Sequence, residues 1–223
     1  MDFQQLAHIA WLVPALPLFG ALVIAALRNK LKGNTAGYLA TAMTSIAFVI
    51  ALLAFIAHKP AEQASALVHL FNWIDIPGME VAMDLRIDAL SLTMMLIVTG
   101  IGSLIHMYSI GYMHDDKRVN TFFALLNLFS FAMLMLVMGG NFLVTFIGWE
   151  GVGLCSYLLI GFWYTVPAYN YAARKAFVMN RIGDLGFLIA LVMIATQFGT
   201  LDYGTVMDKS STVSTGSPWI TAV

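Results

Sequence analysis

Charge is what this sequence has least of. Of its 223 residues only 10% are Asp, Glu, Lys or Arg, whereas 60% are hydrophobic and the mean hydropathy is +0.83. A water-soluble domain carries about 25% charged residues because its surface must stay hydrated, so this chain cannot cover a globule and its solvent is the lipid bilayer. Cysteine is nearly absent too. The single Cys155 sits in an apolar run, which excludes a disulfide framework or a thiolate metal site within the chain. A net charge of -1 leaves no basic surface for nucleic acid. There is no Gly-rich phosphate loop, no pair of metal ligands and no nucleophile beside a base, so neither a metal site nor a redox or hydrolytic site is expected here. The 14 methionines are scattered through the apolar runs and read as packing. The start, Met1-Asp2-Phe3-Gln4-Gln5, lacks the basic region of a signal peptide, so the first apolar segment is read as a retained helix.

What is present is a series of apolar runs, each close to the ~20 residues that span a bilayer as helix. They occupy about Ile9 to Leu27, Tyr38 to Ala57, Ala89 to Tyr112, Thr121 to Met138, Phe142 to Tyr164 and Ala176 to Phe198. The expected fold is an all-α polytopic membrane protein with about six transmembrane helices. Arg28, Lys30, Lys32, Lys117, Arg118, Arg174 and Lys175 fall on one side, and Lys59, Arg86 and Lys209 on the other. The positive-inside bias then puts the N-terminus outside. Gly139-Gly140-Asn141 reverses the chain sharply between the fourth and fifth spans, and Pro167 is suited to the entry of the sixth helix.

One outer segment has the wrong period for a helix. From Met79 to Asp88, Val81, Met83, Leu85 and Ile87 alternate with polar residues, and Pro77-Gly78 reads as the turn of a β-hairpin at about 67–88 whose first strand includes Phe71, Trp73 and Ile76. Val81 and Leu85 face either the chain's own bundle or a neighbouring subunit. The organisation expected is a three-helix segment with the hairpin over 1–120, helices four to six over 121–200, and a polar tail over 201–223 whose end turns apolar, as at the start of a seventh helix.

Ionisable groups inside a span are costly and point to function by default. Glu150 lies near the middle of the fifth span, among Gly148, Gly151 and Gly153, whose small size lets a helix or water approach. It is read either as a proton-transfer group or as a neutral packing glutamate. Arg181 and Asp184, three residues apart on one face of the sixth span, are either a self-neutralised pair or a device that places Asp184 beside Glu150. Arg174 and Lys175 are orientation anchors at the inner end of that span, with proton entry as the other reading of Lys175. His106 is expected to be an interfacial, hydrogen-bonded histidine near Tyr108 and Tyr112.

Three ordered segments carry a family resemblance. The run Gly148-Trp149-Glu150-Gly151-Val152-Gly153-Leu154-Cys155-Ser156-Tyr157-Leu158-Leu159-Ile160-Gly161-Phe162-Trp163 resembles the fifth helix of the distal antiporter-like L subunits of respiratory complex I, the bacterial NADH:quinone oxidoreductase. Leu104-Ile105-His106-Met107-Tyr108 with Gly111-Tyr112-Met113 is similar to their third helix, and Lys175-Ala176-Phe177-Val178-Met179-Asn180-Arg181-Ile182-Gly183-Asp184 to their sixth.

The resemblance implies the N-terminal part of an antiporter-like inverted-repeat fold and a role in coupling quinone reduction elsewhere in the complex to proton movement. It implies that Glu150 is the essential helix-five glutamate and Asp184 an important helix-six acid, with Lys175 and Arg181 at positions that are also polar in the family. The glutamate's usual lysine partner belongs to a seventh helix absent here. No cofactor is implied on this chain; FMN, iron–sulfur clusters and quinone are expected on other subunits. The implied partners are the lipid bilayer and other membrane subunits, especially the adjacent M chain, in a bacterial inner membrane. Two further readings remain: the large subunit of a multisubunit sodium/proton antiporter, which resembles the same fold, and a membrane scaffold.

Overall fold

The computed structural model of the chain describes residues 3–31, 34–58, 65–76 and 79–210. Lys32, Lys59, Pro77-Gly78 and the apolar end of the tail lie outside them. Among the described residues, six helical stretches are long and apolar enough to cross a membrane: Gln5–Ala26, Thr35–Ala57, Ala89–Tyr112, Val119–Met138, Phe142–Ile160 and Pro167–Phe198. The first is two helices, α1 (Phe3–Ile9) and α2 (Leu12–Ala26), interrupted at Ala10-Trp11. Pro14 explains the break, since its nitrogen cannot donate to the carbonyl four residues back and its ring crowds that carbonyl. The others are α3 (Thr35–Ala57), α4 (Ala89–Tyr112), α5 (Val119–Met138), α6 (Phe142–Ile160) and α7 (Pro167–Phe198).

Two of these limits depart from the hydropathy. Helix α6 stops at Ile160 and not at Tyr164, because the residues after Gly161 are held by the loop that precedes α5. Arg118 donates to the Phe162 carbonyl and its guanidinium lies 4.7 Å from the Phe162 ring centre and 4.6 Å from that of Tyr164, while Trp163 Nε1 donates to Asp116 Oδ2 at 2.8 Å. Helix α7 begins at Pro167, nine residues before its apolar run, with proline in the first turn where an amide donor is not needed. Its 32 residues extend about 48 Å at 1.5 Å each, well beyond a ~30 Å hydrocarbon core. Arg174 and Lys175 are therefore inside a helix but near the level where the apolar core ends.

At the opposite end the hairpin clamps the bundle. Strands β1 (Ser65–Ile76) and β2 (Met79–Asp88) are antiparallel, with Ile76 opposite Met79. The last strand residue, Asp88, also starts α4: Ser91 N donates to Asp88 Oδ1 and Asp88 N to Ser91 Oγ, both at 2.8 Å, so no loop is needed. The reversal at Gly139-Gly140-Asn141 is bonded onto β2. Gly140 N donates to the Asp84 carbonyl at 2.8 Å and Asn141 Nδ2 to the Ala82 carbonyl at 2.7 Å, while Asn141 Oδ1 caps α6 through Val144 N at 2.9 Å. A side chain at Gly140 would collide with the Asp84 backbone.

Alternation in β2 has the expected result: Val81, Leu85 and Ile87 are buried against the chain's own bundle. Strand β1 behaves differently. Two register shifts, between His69 and Phe71 and between Asn72 and Ile74, insert extra residues and break its period of two. Leu67, Leu70, Phe71, Trp73 and Ile76 are left exposed. The capping-flap reading therefore holds for β2, and Val81 and Leu85 do not face outward. Val81→Ser and Leu85→Ser are each expected to cost the full-length subunit about 3 kcal/mol, as large-to-small core changes do. Thermal melting in mild detergent reads this, with Trp73→Ser melting like the wild type.

Beyond α7 the chain forms a short helix, α8 (Tyr203–Ser210), within the stretch read from the sequence as the start of a polar tail. Its anchors are Val206, which is buried, and Tyr203, whose ring lies 4.4 Å from that of Phe142. Burial pushes the Tyr203 phenol above its ordinary range against the opposing pull of Thr145 and Arg86, so it stays protonated and shares a 2.7 Å hydrogen bond with the Thr145 hydroxyl.

Helix α5 is the centre of the bundle, packed against α2, α3, α4 and α6. Helix α7 is at the edge, packed mainly on α6. Within their membrane windows 44% of α5 is buried but only 17% of α6 and of α7.

Candidate functional site

Among the described residues, the α6–α7 pair carries the Asp, Glu, Lys and Arg side chains of the membrane-spanning helices. Helix α6 can approach α5 closely because Gly148 and Gly151 face it. A Cβ at Gly148 would overlap the backbone of Met135 and Leu136, and one at Gly151 would come within 2.9 Å of the Ala132 side chain. The glycines thus serve helix packing, and the approach they permit is by α5. Glu150 lies between them in sequence and is carried round toward α7. It is about eight residues from the helix start, hence about 12 Å deep.

On α7, Arg181 and Asp184 meet it. Arg181 Nη1 pairs with Glu150 Oε2, and the same nitrogen is 3.4 Å from Asp184 Oδ2. The other oxygen of Asp184 accepts a 2.7 Å hydrogen bond from Trp149 Nε1 on α6. The guanidinium also lies 4.8 Å from the ring centre of Phe177, one helical turn earlier. Side-chain exposure grades across the cluster: 9% for Asp184, 23% for Glu150 and 41% for Arg181. One cation therefore serves two carboxylates, the buried one fixed by an indole and the half-buried one held by the cation alone among the contacts described.

The two readings of Arg181 and Asp184 thus merge: they do pair along the helix, and they also sit beside Glu150. Within this chain the cation on Glu150 is Arg181. Lys175 is exposed and takes part in none of these contacts. Six residues from Arg181, it lies about 9 Å back along α7. Trp149 was not anticipated as part of the site. Its place beside a mid-span carboxylate was the available signal, because an indole N–H in an apolar helix needs an acceptor. No group of three or more His, Cys, Asp or Glu side chains that could hold a metal occurs among the described residues.

His106 departs from expectation. It is not at the interface but 1% exposed, enclosed between α4 and α5, with Nε2 2.9 Å from Asn127 Oδ1. Tyr108 and Tyr112 stack with each other on the outside of α4, 5.9 Å between ring centres. The helical rotation that exposes them turns His106 inward.

Comparison with known proteins agrees with this architecture. Residues 73–123 match the family described as NADH-Ubiquinone oxidoreductase (complex I), chain 5 N-terminus. Residues 139–220 match NADH:quinone oxidoreductase/Mrp antiporter, TM. The NADH-quinone oxidoreductase subunit L of Mycobacterium tuberculosis is 43% identical over 201 residues, which are 89% of this chain and 32% of that protein. The chain thus spans about a third of its relative's length. Among solved structures, a chain of the archaeal membrane-bound sulfane sulfur reductase superposes with a TM-score of 0.80 at 18% identity, covering 93% of this chain and 41% of that one. A chain of the Mrp complex from Dietzia sp. gives 0.74 at 25% identity, covering 88% and 20%. Six spans, the hairpin, the glycine-bearing α6 and these matches together place the chain in the subunit L/chain 5 family of NADH:quinone oxidoreductase, of which it covers the N-terminal part.

Proposed function

We propose that the chain belongs to a proton-translocating membrane subunit of an NADH:quinone oxidoreductase, in which Glu150 takes up and releases a proton as Arg181 moves. The observation that carries this is the mid-span ion pair of Glu150 with Arg181, shared with Asp184. A carboxylate beside a guanidinium is ionised; one left in apolar surroundings without its cation takes up a proton. A small shift of Arg181 from Glu150 toward Asp184 gives the first state the means to become the second. Trp149 keeps Asp184 in place as the alternative acceptor. Lys175, exposed near the end of the apolar stretch of α7, supplies a cation on the path by which protons enter.

Energy for the movement comes from quinone reduction on other subunits, which hold FMN, the iron–sulfur clusters and the quinone; no redox centre is assigned to this chain. In this reading the membrane is a bacterial inner membrane, and the distribution of lysine and arginine supports an N-terminus on the outer side. The adjacent M chain is the preferred partner, and the exposed Phe71 and Trp73 of β1 suit contact with an apolar surface.

Glu150→Gln in the full-length protein tests the proposal, because it keeps shape and removes the ionisable group. Since a positioned acid–base group contributes ~100-fold or more to its own step, which need not limit the whole cycle, quinone-coupled proton pumping is expected to fall at least about fivefold with the complex assembled. Wild-type pumping and turnover would overturn it. The likeness to the Mrp complex supports a second reading, an antiporter driven by an ion gradient. Co-purification with iron–sulfur subunits separates the two.

A further inference from the structure

A cavity of about 350 Å³ opens where β2 runs into α4, between the hairpin-side ends of α4, α5 and α6. One wall is polar, made by Arg86 and Asp88 with Thr145 of α6 and Tyr203 of α8. The other is apolar, made by Leu90 and Met94 of α4 and Leu136 and Val137 of α5. One turn deeper the same seam continues. Ile97 and Ile101 follow Met94 at helical spacing, Met133 and Phe129 precede Val137 in the same way, and together they line a second space of about 200 Å³ with an almost wholly apolar wall. From Leu90 to Ile101 the groove runs about 16 Å along α4, the depth of one leaflet of a ~30 Å hydrocarbon core. Leu90, Ile97 and Ile101 are exposed, so the groove is open along this length.

The polar groups at its mouth are held in place by the fold. Asp88 caps α4 through Ser91 N, and its other carboxylate oxygen accepts from Arg86 Nε at 3.0 Å. The two amino groups of the guanidinium have no acceptor among the described residues, and Arg86 stays 39% exposed. Thr145 and Tyr203 share one hydrogen bond. Two hydroxyls carry two protons and their mutual bond uses one, so the other is available to a ligand oxygen. The mouth therefore offers donors to an anionic oxygen, yet Asp88 leaves it with no net positive charge. A ligand carrying both signs fits it better than a purely anionic one.

We propose that the α4–α5 seam binds one phospholipid with a zwitterionic headgroup. Its phosphate accepts from the amino groups of Arg86, its ammonium lies beside Asp88, and one acyl chain fills the groove down to Ile101. The lipid joins the hairpin end of α4 to α6 and α8 through space that no described side chain fills. The site shares no residue with the Glu150 cluster and stands whether or not Glu150 carries protons.

The test uses the assembled complex with the full-length chain in lipid nanodiscs. Three lipids with the same photoreactive acyl chain are added in turn at low proportion: a phosphatidylethanolamine, a phosphatidylglycerol and a diacylglycerol. After irradiation, labelled peptides are located by mass spectrometry. The ethanolamine lipid is expected to label Met133 and Phe129 at least about fivefold more than either of the others, the factor that one arginine near a bilayer surface supplies. Arg86→Gln is expected to reduce its labelling to the diacylglycerol level, and Ile101→Trp, which fills the groove from an exposed position, to abolish labelling by all three. Should Arg86→Gln fail to assemble, the headgroup preference of the unmutated protein and Ile101→Trp decide. Equal labelling by the three lipids is the behaviour of an ordinary lipid boundary and overturns the proposal. So do a preference for the glycerol lipid, wild-type labelling of either variant, and an unlabelled seam covered by the rest of the chain or by a neighbouring subunit.

Discussion

Arg181→Met is expected to destabilise the subunit more than removing either carboxylate it serves. The change leaves Glu150 and Asp184 facing each other across α6 and α7 without a cation, and unpaired carboxylates in a membrane interior are costly. Breaking a fully buried pair costs ~3–5 kcal/mol; with Arg181 41% exposed, about 2 kcal/mol is the expected loss, read as a fall in melting temperature and in the fraction of assembled complex. Two further variants separate charge from shape. Arg181→Lys keeps a cation but not the planar fork that reaches both carboxylates, so it is expected to fall between wild type and Arg181→Met. Adding Glu150→Gln to Arg181→Met removes one of the stranded charges and is expected to recover part of the loss. If Arg181→Met melts at the wild-type temperature, or Glu150→Gln adds to its loss instead of relieving it, the shared-cation description is wrong.

Gly148→Ala is the second large effect, and it acts through packing. The new Cβ would overlap the Leu136 and Met135 backbone of α5, which cannot step aside as the end of a flexible side chain can. Overpacking of a tight contact costs ~1–3 kcal/mol, and a backbone obstacle puts this case at the upper end, about 3 kcal/mol. Separation of α5 and α6 also displaces Glu150, so assembly and proton pumping are expected to fall together. The control is Gly186→Ala on α7, where a Cβ meets nothing within 4 Å. There the gain in helix propensity is expected to leave stability unchanged or slightly raised. Equal behaviour of the two variants would refute the close α5–α6 contact.

Much of the architecture follows from local pattern. Apolar length marks the six spans, alternation marks β2, and Pro167 marks the entry to α7. These signals work because they act over a few residues or one helix face. Signals that failed depend on neighbours distant in sequence. The Tyr164 limit for α6 overran because Phe162 and Trp163 are apolar, yet both are held by Arg118 and Asp116 from another loop. The bulges of β1 left no mark in composition, and α8 was hidden in a polar window whose buried residue is Val206. At the site, the spacing of Arg181 and Asp184 placed them on one face, but their alignment with Glu150 depends on how α7 is rotated against α6. The same holds for His106 and Asn127, 21 residues apart and brought together by the packing of α4 on α5. Cost inside the membrane identified Glu150, Arg181 and Asp184 as special; only the helix packing joins them.

Glu150 is expected to change protonation during turnover. Infrared difference spectroscopy of the complex, comparing resting and turning-over states, measures this directly, since a protonated carboxyl has a carbonyl band that a carboxylate lacks. A protonated-carboxyl band that changes on turnover is expected in the wild type and is expected to be missing from Glu150→Gln. Identical difference spectra for the two proteins, both assembled and both reducing quinone, would contradict it.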